Sequence, residues 1–238
     1  MRTILSHVVS RIRRRWPKVH ILVRGDGHYG RPEVMAWCEE TPGTDYIFGL
    51  PGNAVLDTLT RPAADALCVE RATGASPMLR RFVTLRYGAK SWMKQRRIVA
   101  RLEATLLGLD IRYVATSLTG SAQYLYETVY CGRGQAENFI KLHKAQLASD
   151  RTSCREPKAN QVRLILHTAA YWLLHTLRAA APKRSAMARA EFNSLRLHLL
   201  KIAARVVEGA ARIRVWLPTS CPDAALFKLL AGRFAAGP

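Results

Sequence analysis

The chain has 238 residues, 49% of them apolar and 23% charged, a balance that fits a folded domain with its own core and argues against a disordered tail. Its 37 Lys and Arg against 17 Asp and Glu leave a formal net charge of +20, which calls for a polyanionic partner because counterion release rewards surface cations. Five cysteines (Cys38, Cys68, Cys131, Cys154, Cys221) form an odd, scattered set with no C-x-x-C pair, against a disulfide framework or a zinc site and in favour of a reducing compartment.

Met1 to Trp16 is Arg-rich and acid-free, and it reads as an amphipathic helix with Ile4, Leu5, Val8, Ile12 and Trp16 inward. Its basic end, Arg13-Arg14-Arg15, suits the negative pole of the helix. Pro17 stops it. Val19 to Val23 then forms a short apolar strand of the kind buried within a sheet, ending at Gly25-Asp26-Gly27. Arg31-Pro32-Glu33 opens a helix that presents Val34, Met35, Trp37 and Cys38, and Asp45 to Gly49 is a second strand. This alternation is the grammar of an α/β sheet, in which an acid at a strand's C-terminal tip sits where the chemistry is placed. Taken alone, Asp26 between two glycines is more often just a turn residue.

From Leu50 the rhythm changes. Ala54 to Thr73 reads as a helix that Pro62 should kink or split. Phe82 to Tyr87, Gln95 to Leu102 and Ile111 to Ser117 alternate as strands do. Trp92, among Lys90, Lys94, Arg96 and Arg97, is either a platform for a DNA base or a strand-end residue packed on its own core. Gln161 to Ala180 is apolar almost all round and should be buried, with His167 and His175 as core or boundary residues. Its longest apolar run, Leu164 to Leu177, is too short and too polar to span a bilayer. Met187 to Ala204 reads as a further helix, Val206-Val207 and Ile213 to Leu217 as a hairpin turned at Glu208-Gly209, and Ala224 to Phe234 as a last helix.

The most informative stretch is Tyr130 to Lys144, read within a helix over Gly120 to Ala148 with a kink at Gly132 and Gly134. Wound at roughly 100° per residue, it brings Tyr130, Arg133, Glu137, Lys141 and Lys144 to one narrow face. Ala136, Phe139 and Ile140 lie on the flank that packs. A carboxylate ringed by cations suits a site that holds a metal ion and grips phosphates, or simply a solvated face with an i,i+4 ion pair.

The spacing of Tyr130, Arg133, Glu137 and Lys144 resembles the Y-R-E-K signature of bacterial insertion-sequence transposases of the DDE type, hairpin-forming members included. The text around Arg31-Pro32-Glu33, Ala36-Trp37-Cys38-Glu39 and Ala159-Asn160-Gln161 is similar to that family too. The resemblance implies an RNase H-like α/β fold divided as a core segment over residues 1–50, a β-rich insertion over 51–119 and the rest of the core over 120–238. It implies that Asp26 and Glu137 are catalytic carboxylates and ligands of Mg²⁺, with Mn²⁺ as a substitute. Tyr130, Arg133, Lys144, Lys141 and Trp92 become DNA contacts. The partners it implies are the terminal inverted repeats and a target DNA, bound by a dimer in a synaptic complex at the bacterial nucleoid in the cytoplasm, without a membrane.

The family's first Asp precedes these, and here Asp26 is the first acidic residue of any kind. The expectation is therefore a C-terminal portion lacking the first strands, unable to cleave DNA alone, with an apolar edge at Val19 to Val23 and poor solubility. A non-catalytic basic DNA-binding remnant is the alternative. An RNA-binding protein is a third reading, resting on charge alone.

Overall fold

In the computed structural model, which describes residues 1–235, the N-terminal helix α1 (Arg2–Arg15) turns Leu5, Val9 and Ile12 inward, and Val9 is buried. Ile4, Val8 and Trp16 are exposed, so the inner face lies about one residue from the expected one. Arg13 accounts for the rotation, since its guanidinium donates to the Pro42 carbonyl and the Thr44 hydroxyl and draws its own side of the helix downward.

Strand β1 (Ile21–Gly25), helix α2 (Pro32–Glu40), strand β2 (Thr44–Leu50) and helix α3 (Ala54–Thr73) follow as the alternation predicts. Val34, Met35, Trp37 and Cys38 of α2 are all buried. Helix α3 starts on Asn53, whose side chain accepts from the amides of Val55 and Leu56, and it runs through Pro62 without being split. Anchoring holds it together: Leu56, Thr60, Ala64 and Leu67 are buried on either side of the proline.

Strands β3 (Met78–Tyr87), β4 (Arg96–Thr105) and β5 (Gly108–Thr116) form an antiparallel meander. It is not a separate sheet. β5 pairs antiparallel with β2, and β2 pairs parallel with β1, giving one five-stranded sheet in the order β1-β2-β5-β4-β3. β1 therefore lies at an edge, with Ile21, Leu22 and Val23 half-buried and not enclosed on both sides. This mixed α/β architecture is compatible with an RNase H-like domain.

The two faces of the sheet are covered differently. Tyr46, Phe48, Ile98, Ala100, Leu102, Tyr113 and Ala115 pack with residues of α1, α2 and α3 in the main core. Ile47, Val99 and Val114 point the other way, onto Leu125 and Tyr126. Those two belong to a π-helical segment, Tyr124–Tyr130, which passes through a 3₁₀ turn, Cys131–Arg133, into helix α4 (Gly134–Leu147).

The chain divides into two compact units, Met1–Gln135 and the residues from Ala136 onward. In the second, helix α5 (Pro157–Ala180) buries only Leu174, while Val162, Ile165, Leu166, Trp172 and Leu173 are exposed. The expectation of a helix buried all round fails because this unit's core is small. It consists of Leu174, Phe192, Leu195, Leu199 and Leu230, and Tyr171, Leu177 and Ala180 are the neighbouring α5 residues that reach it.

The helix expected over Met187 to Ala204 is broken into a 3₁₀ turn, Ala186–Arg189, the short helix α6 (Phe192–Leu195) and a π turn, Arg196–Leu200. Strands β6 (Arg205–Gly209) and β7 (Arg212–Trp216) pair as the expected hairpin, but the turn falls at residues 210–211, because Glu208 and Gly209 are paired with Ile213 and Arg212 within the ladder. Helix α7 spans Ala224–Ala235. Among the described residues no helix is long and apolar enough to cross a membrane.

Candidate active site

Asp26 stands just beyond the tip of β1 and is about half exposed, at 46% of its side chain. Its Oδ1 accepts the backbone N–H of His28 at 3.0 Å, and the Tyr29 amide donates to its carbonyl at 3.1 Å, so the Gly27-His28 turn is tied to it. The His28 ring Nδ1 lies 3.6 Å from the same carboxylate oxygen. Among the described residues no Lys or Arg pairs with Asp26.

Parallel pairing of Gly25 with Phe48 sets Gly49 beside this turn. The Cβ that Gly49 lacks would lie 2.7 Å from the Tyr130 hydroxyl oxygen, 3.0 Å from Gly27 N and 3.3 Å from Asp26 C. Glycine here leaves the gap through which Tyr130 reaches the Asp26 loop. The Tyr130 ring is fixed by Tyr126, whose centroid is 5.4 Å away, and the Arg133 guanidinium stacks over it at 5.2 Å. The Tyr130 hydroxyl and the Asp26 turn, far apart in the chain, thus both lie against Gly49, with the Arg133 guanidinium over the Tyr130 ring.

A second clamp holds the same segment. Arg24, on β1 two residues before Asp26, donates from Nη1 to the Val129 carbonyl at 3.0 Å. The same Nη1 would stand 2.8 Å from a Cβ on Gly132. The sequence pointed to Gly132 only as a helix kink. Its smallness has another use, which is to admit Arg24.

These residues edge a cleft of about 930 Å³ whose lining includes Gly27, His28, Gly49, Tyr130, Arg133 and Arg112. On the opposite wall Arg101 and Arg112 both bind Asp110, and Arg101 also faces Glu103 at 3.6 Å and the Tyr126 ring at 5.7 Å. The hydrogen bond to Asp110 pushes the Arg112 guanidinium further toward its charged form. Burial raises the Tyr126 phenol. The cleft is therefore rich in guanidinium groups and tyrosine rings, a lining suited to phosphate and base surfaces. The contribution of Arg101 and Arg112 escaped sequence reading because a basic residue on an alternating strand looks like ordinary wet-face polarity.

Glu137 lies in the first turn of α4, and Lys144 in its last. In the second unit a shallow depression of about 410 Å³ is lined by Glu137, Ile140, Lys141, Lys144, Ala145 and Asp150. The expected Glu137–Lys141–Lys144 face is therefore real within the α-helical part. Upstream of Gly134 the backbone is π-helical and then 3₁₀, so a uniform helical step does not apply to Tyr130 and Arg133. Phe139 and Ile140 are exposed, and Leu142 and Leu147 are the α4 residues that pack on this unit's core. Asp150, just past the helix, is a companion of Glu137 that no motif signals.

Trp92 is elsewhere. Its ring meets Tyr87 edge-on at 5.5 Å and carries the Arg96 guanidinium over it at 5.1 Å, and it packs with the α1–α3 core. Arg96 is buried and bound bidentately to Glu39 at 2.8 and 3.0 Å, with Lys94 and the Tyr46 hydroxyl on the same carboxylate. Trp92 is thus part of an internal cation–aromatic stack, on the sheet face away from Tyr126 and Tyr130.

A hard divalent cation takes carboxylate oxygens, and Asp26 and Glu137 both offer them. The donor chemistry of each carboxylate taken by itself suits such an ion. Among the described residues no group of three or more His, Cys, Asp or Glu comes together, so a full three-carboxylate set is not assembled.

The chain matches, over residues 1–236, the model of a family described as transposase DDE domain group 1. A match of this extent shows that the chain belongs to that family of DDE transposase domains. No curated protein and no solved structure matches it. Membership brings with it the general function of a transposase, a nuclease-type enzyme whose partner is DNA and whose family uses a divalent metal ion.

Proposed function

We propose that this chain is the catalytic-domain portion of an insertion-sequence transposase with the Y-R-E-K signature, which grips the terminal inverted repeats and presents them, as a dimer in a synaptic complex, for joining to target DNA. The observation that supports this best is the approach of the Tyr130 hydroxyl to the Asp26 turn through the gap at Gly49. Arg133, whose guanidinium lies over the Tyr130 ring, and Lys141 and Lys144 along α4 contact backbone phosphates in this reading. Trp92 we assign to holding Arg96 rather than DNA.

Asp26 and Glu137 are the proposed metal ligands. They would hold Mg²⁺, or Mn²⁺ in its place, which when bound would supply Lewis-acid activation and charge stabilisation. The chain's own part is to orient phosphates with Arg133 and the lysines and to hold the Asp26 turn in place with Arg24 and Tyr130. Since the family's chemistry uses three carboxylates and two are identified here, we infer that this chain binds ends without cutting them. In that respect it behaves as the basic DNA-binding remnant.

The test is an end-containing duplex offered with Mg²⁺ to the parent and to Glu137→Gln. Both are expected to bind it in preference to unrelated DNA and to leave it intact. Nicking by the parent that Glu137→Gln abolishes would reveal a complete site and overturn the inferred inactivity. Equal affinity for unrelated duplexes would remove the end-binding reading.

A further inference from the structure

The β6–β7 hairpin is exposed at every one of its ten strand positions. A lone two-stranded ribbon is only marginally stable in water, and this one leaves Val206, Val207, Ile213, Val215 and Trp216 uncovered. Its register sorts the side chains sharply. Arg205 pairs with Trp216, Val207 with Arg214 and Gly209 with Arg212, so three guanidinium groups and an indole share one face. Val206 with Val215, and Glu208 with Ile213, occupy the other. The hairpin's one acid is therefore turned away from its three arginines. Among the described residues none of the three has a carboxylate partner.

The arginines also fall at three successive levels of the same face, each about 6.8 Å from the next at ~3.4 Å per residue. The five-residue strands extend over roughly 17 Å. The major groove of duplex DNA, about 12 Å wide, admits a two-stranded ribbon of this kind, with basic side chains reaching the phosphates that flank it.

From this charge complementarity we propose that β6–β7 is a second DNA-binding element, a basic ribbon that docks on duplex DNA through Arg205, Arg212 and Arg214. The inference rests on the reading of the chain as a DNA-binding transposase domain and adds a site separate from the Tyr130–Lys144 signature. Trp216, level with Arg205, lays an apolar ring against the sugar edge of the bound strand.

The experiment measures affinity for a duplex by fluorescence anisotropy between 50 and 200 mM salt. The proteins are the parent, the triple variant Arg205→Gln/Arg212→Gln/Arg214→Gln, its all-lysine counterpart and Glu208→Gln. Loss of three phosphate contacts should flatten log K against log[salt] by about 2.7, so that the parent's affinity falls about 40-fold more than the variant's across that range. The lysine version and Glu208→Gln should keep the parent's slope. An unchanged slope in the glutamine variant, with the parent still binding, would overturn the ribbon and leave the signature site standing. A parent that binds no duplex would overturn both. Tighter binding of RNA than DNA at matched salt, lost with the three arginines, would reject DNA as the ribbon's ligand.

Discussion

Adding one methyl group at Gly49 tests the contact on which the site is built. The new Cβ would sit 2.7 Å from the Tyr130 hydroxyl and 3.0 Å from Gly27 N. The hydroxyl is at the end of a side chain, but its ring is wedged between Tyr126 and Arg133, and the Gly27 nitrogen is backbone. Overpacking of this kind costs about 1–3 kcal/mol. Restricting the unfolded chain returns roughly 0.4–1 kcal/mol, leaving Gly49→Ala less stable by about 1–2 kcal/mol. In a chain of this size that corresponds to a fall in melting temperature of about 2–8 °C. Tyr130→Phe removes the closest atom, so the double variant should recover at least ~0.5 kcal/mol relative to the sum of the single changes. Thermal melts of the four proteins followed by circular dichroism measure this cycle. Strict additivity, or a Gly49→Ala protein as stable as the parent, would refute the close approach of Tyr130 to the Asp26 turn.

Other expectations follow from the same geometry. Glu39→Ala strands the buried Arg96 and should cost about 3–5 kcal/mol in chemical denaturation. Burial alone would raise the Glu39 carboxyl, but hydrogen bonds from Arg96, Lys94 and Tyr46 outweigh it and hold the group below its ordinary value of 4.5. Its stabilising contribution should thus be complete above pH 4.5 and be lost as the pH falls through the lowered folded value, a loss that Glu39→Gln melts would not show. Arg24→Met removes the bond to the Val129 carbonyl and should cost about 1 kcal/mol and speed amide exchange over residues 129–134, measured by mass spectrometry. Burial pushes the Cys38 thiol up to about 12, so iodoacetamide at pH 8 should label exposed Cys131 promptly and Cys38 only in denaturant.

Much of the first unit was legible because its signals are local. Pro32 at a helix start and the alternating residues of β4 each declare an element without reference to the rest of the chain. The strand tip at Asp26 was legible from the apolar run before it, and Tyr130 and Arg133 through the spacing of a motif. What was not legible depends on partners distant in sequence. Nothing near Arg24 announces Val129, and nothing near Gly49 announces the Tyr130 hydroxyl. Trp92 looked like a nucleic-acid platform because basic neighbours surround it, yet one of them, Arg96, has its charge fixed by Glu39 on helix α2. Helix α5 misled for a related reason, since an apolar sequence sets how much surface asks for cover, while the size of the neighbouring core sets how much receives it.

The central proposal, which stands on the family signature, is that Asp26 and Glu137 are ligands of one divalent ion. Ferrous iron substituted for Mg²⁺, with ascorbate and peroxide, cuts the backbone next to bound metal, and the fragments can be sized by mass spectrometry. We expect cuts close to both residue 26 and residue 137, both suppressed by excess Mg²⁺ and both lost in Glu137→Gln. Cleavage near only one of the two, or a cut at residue 26 that survives Glu137→Gln undiminished, would contradict the account.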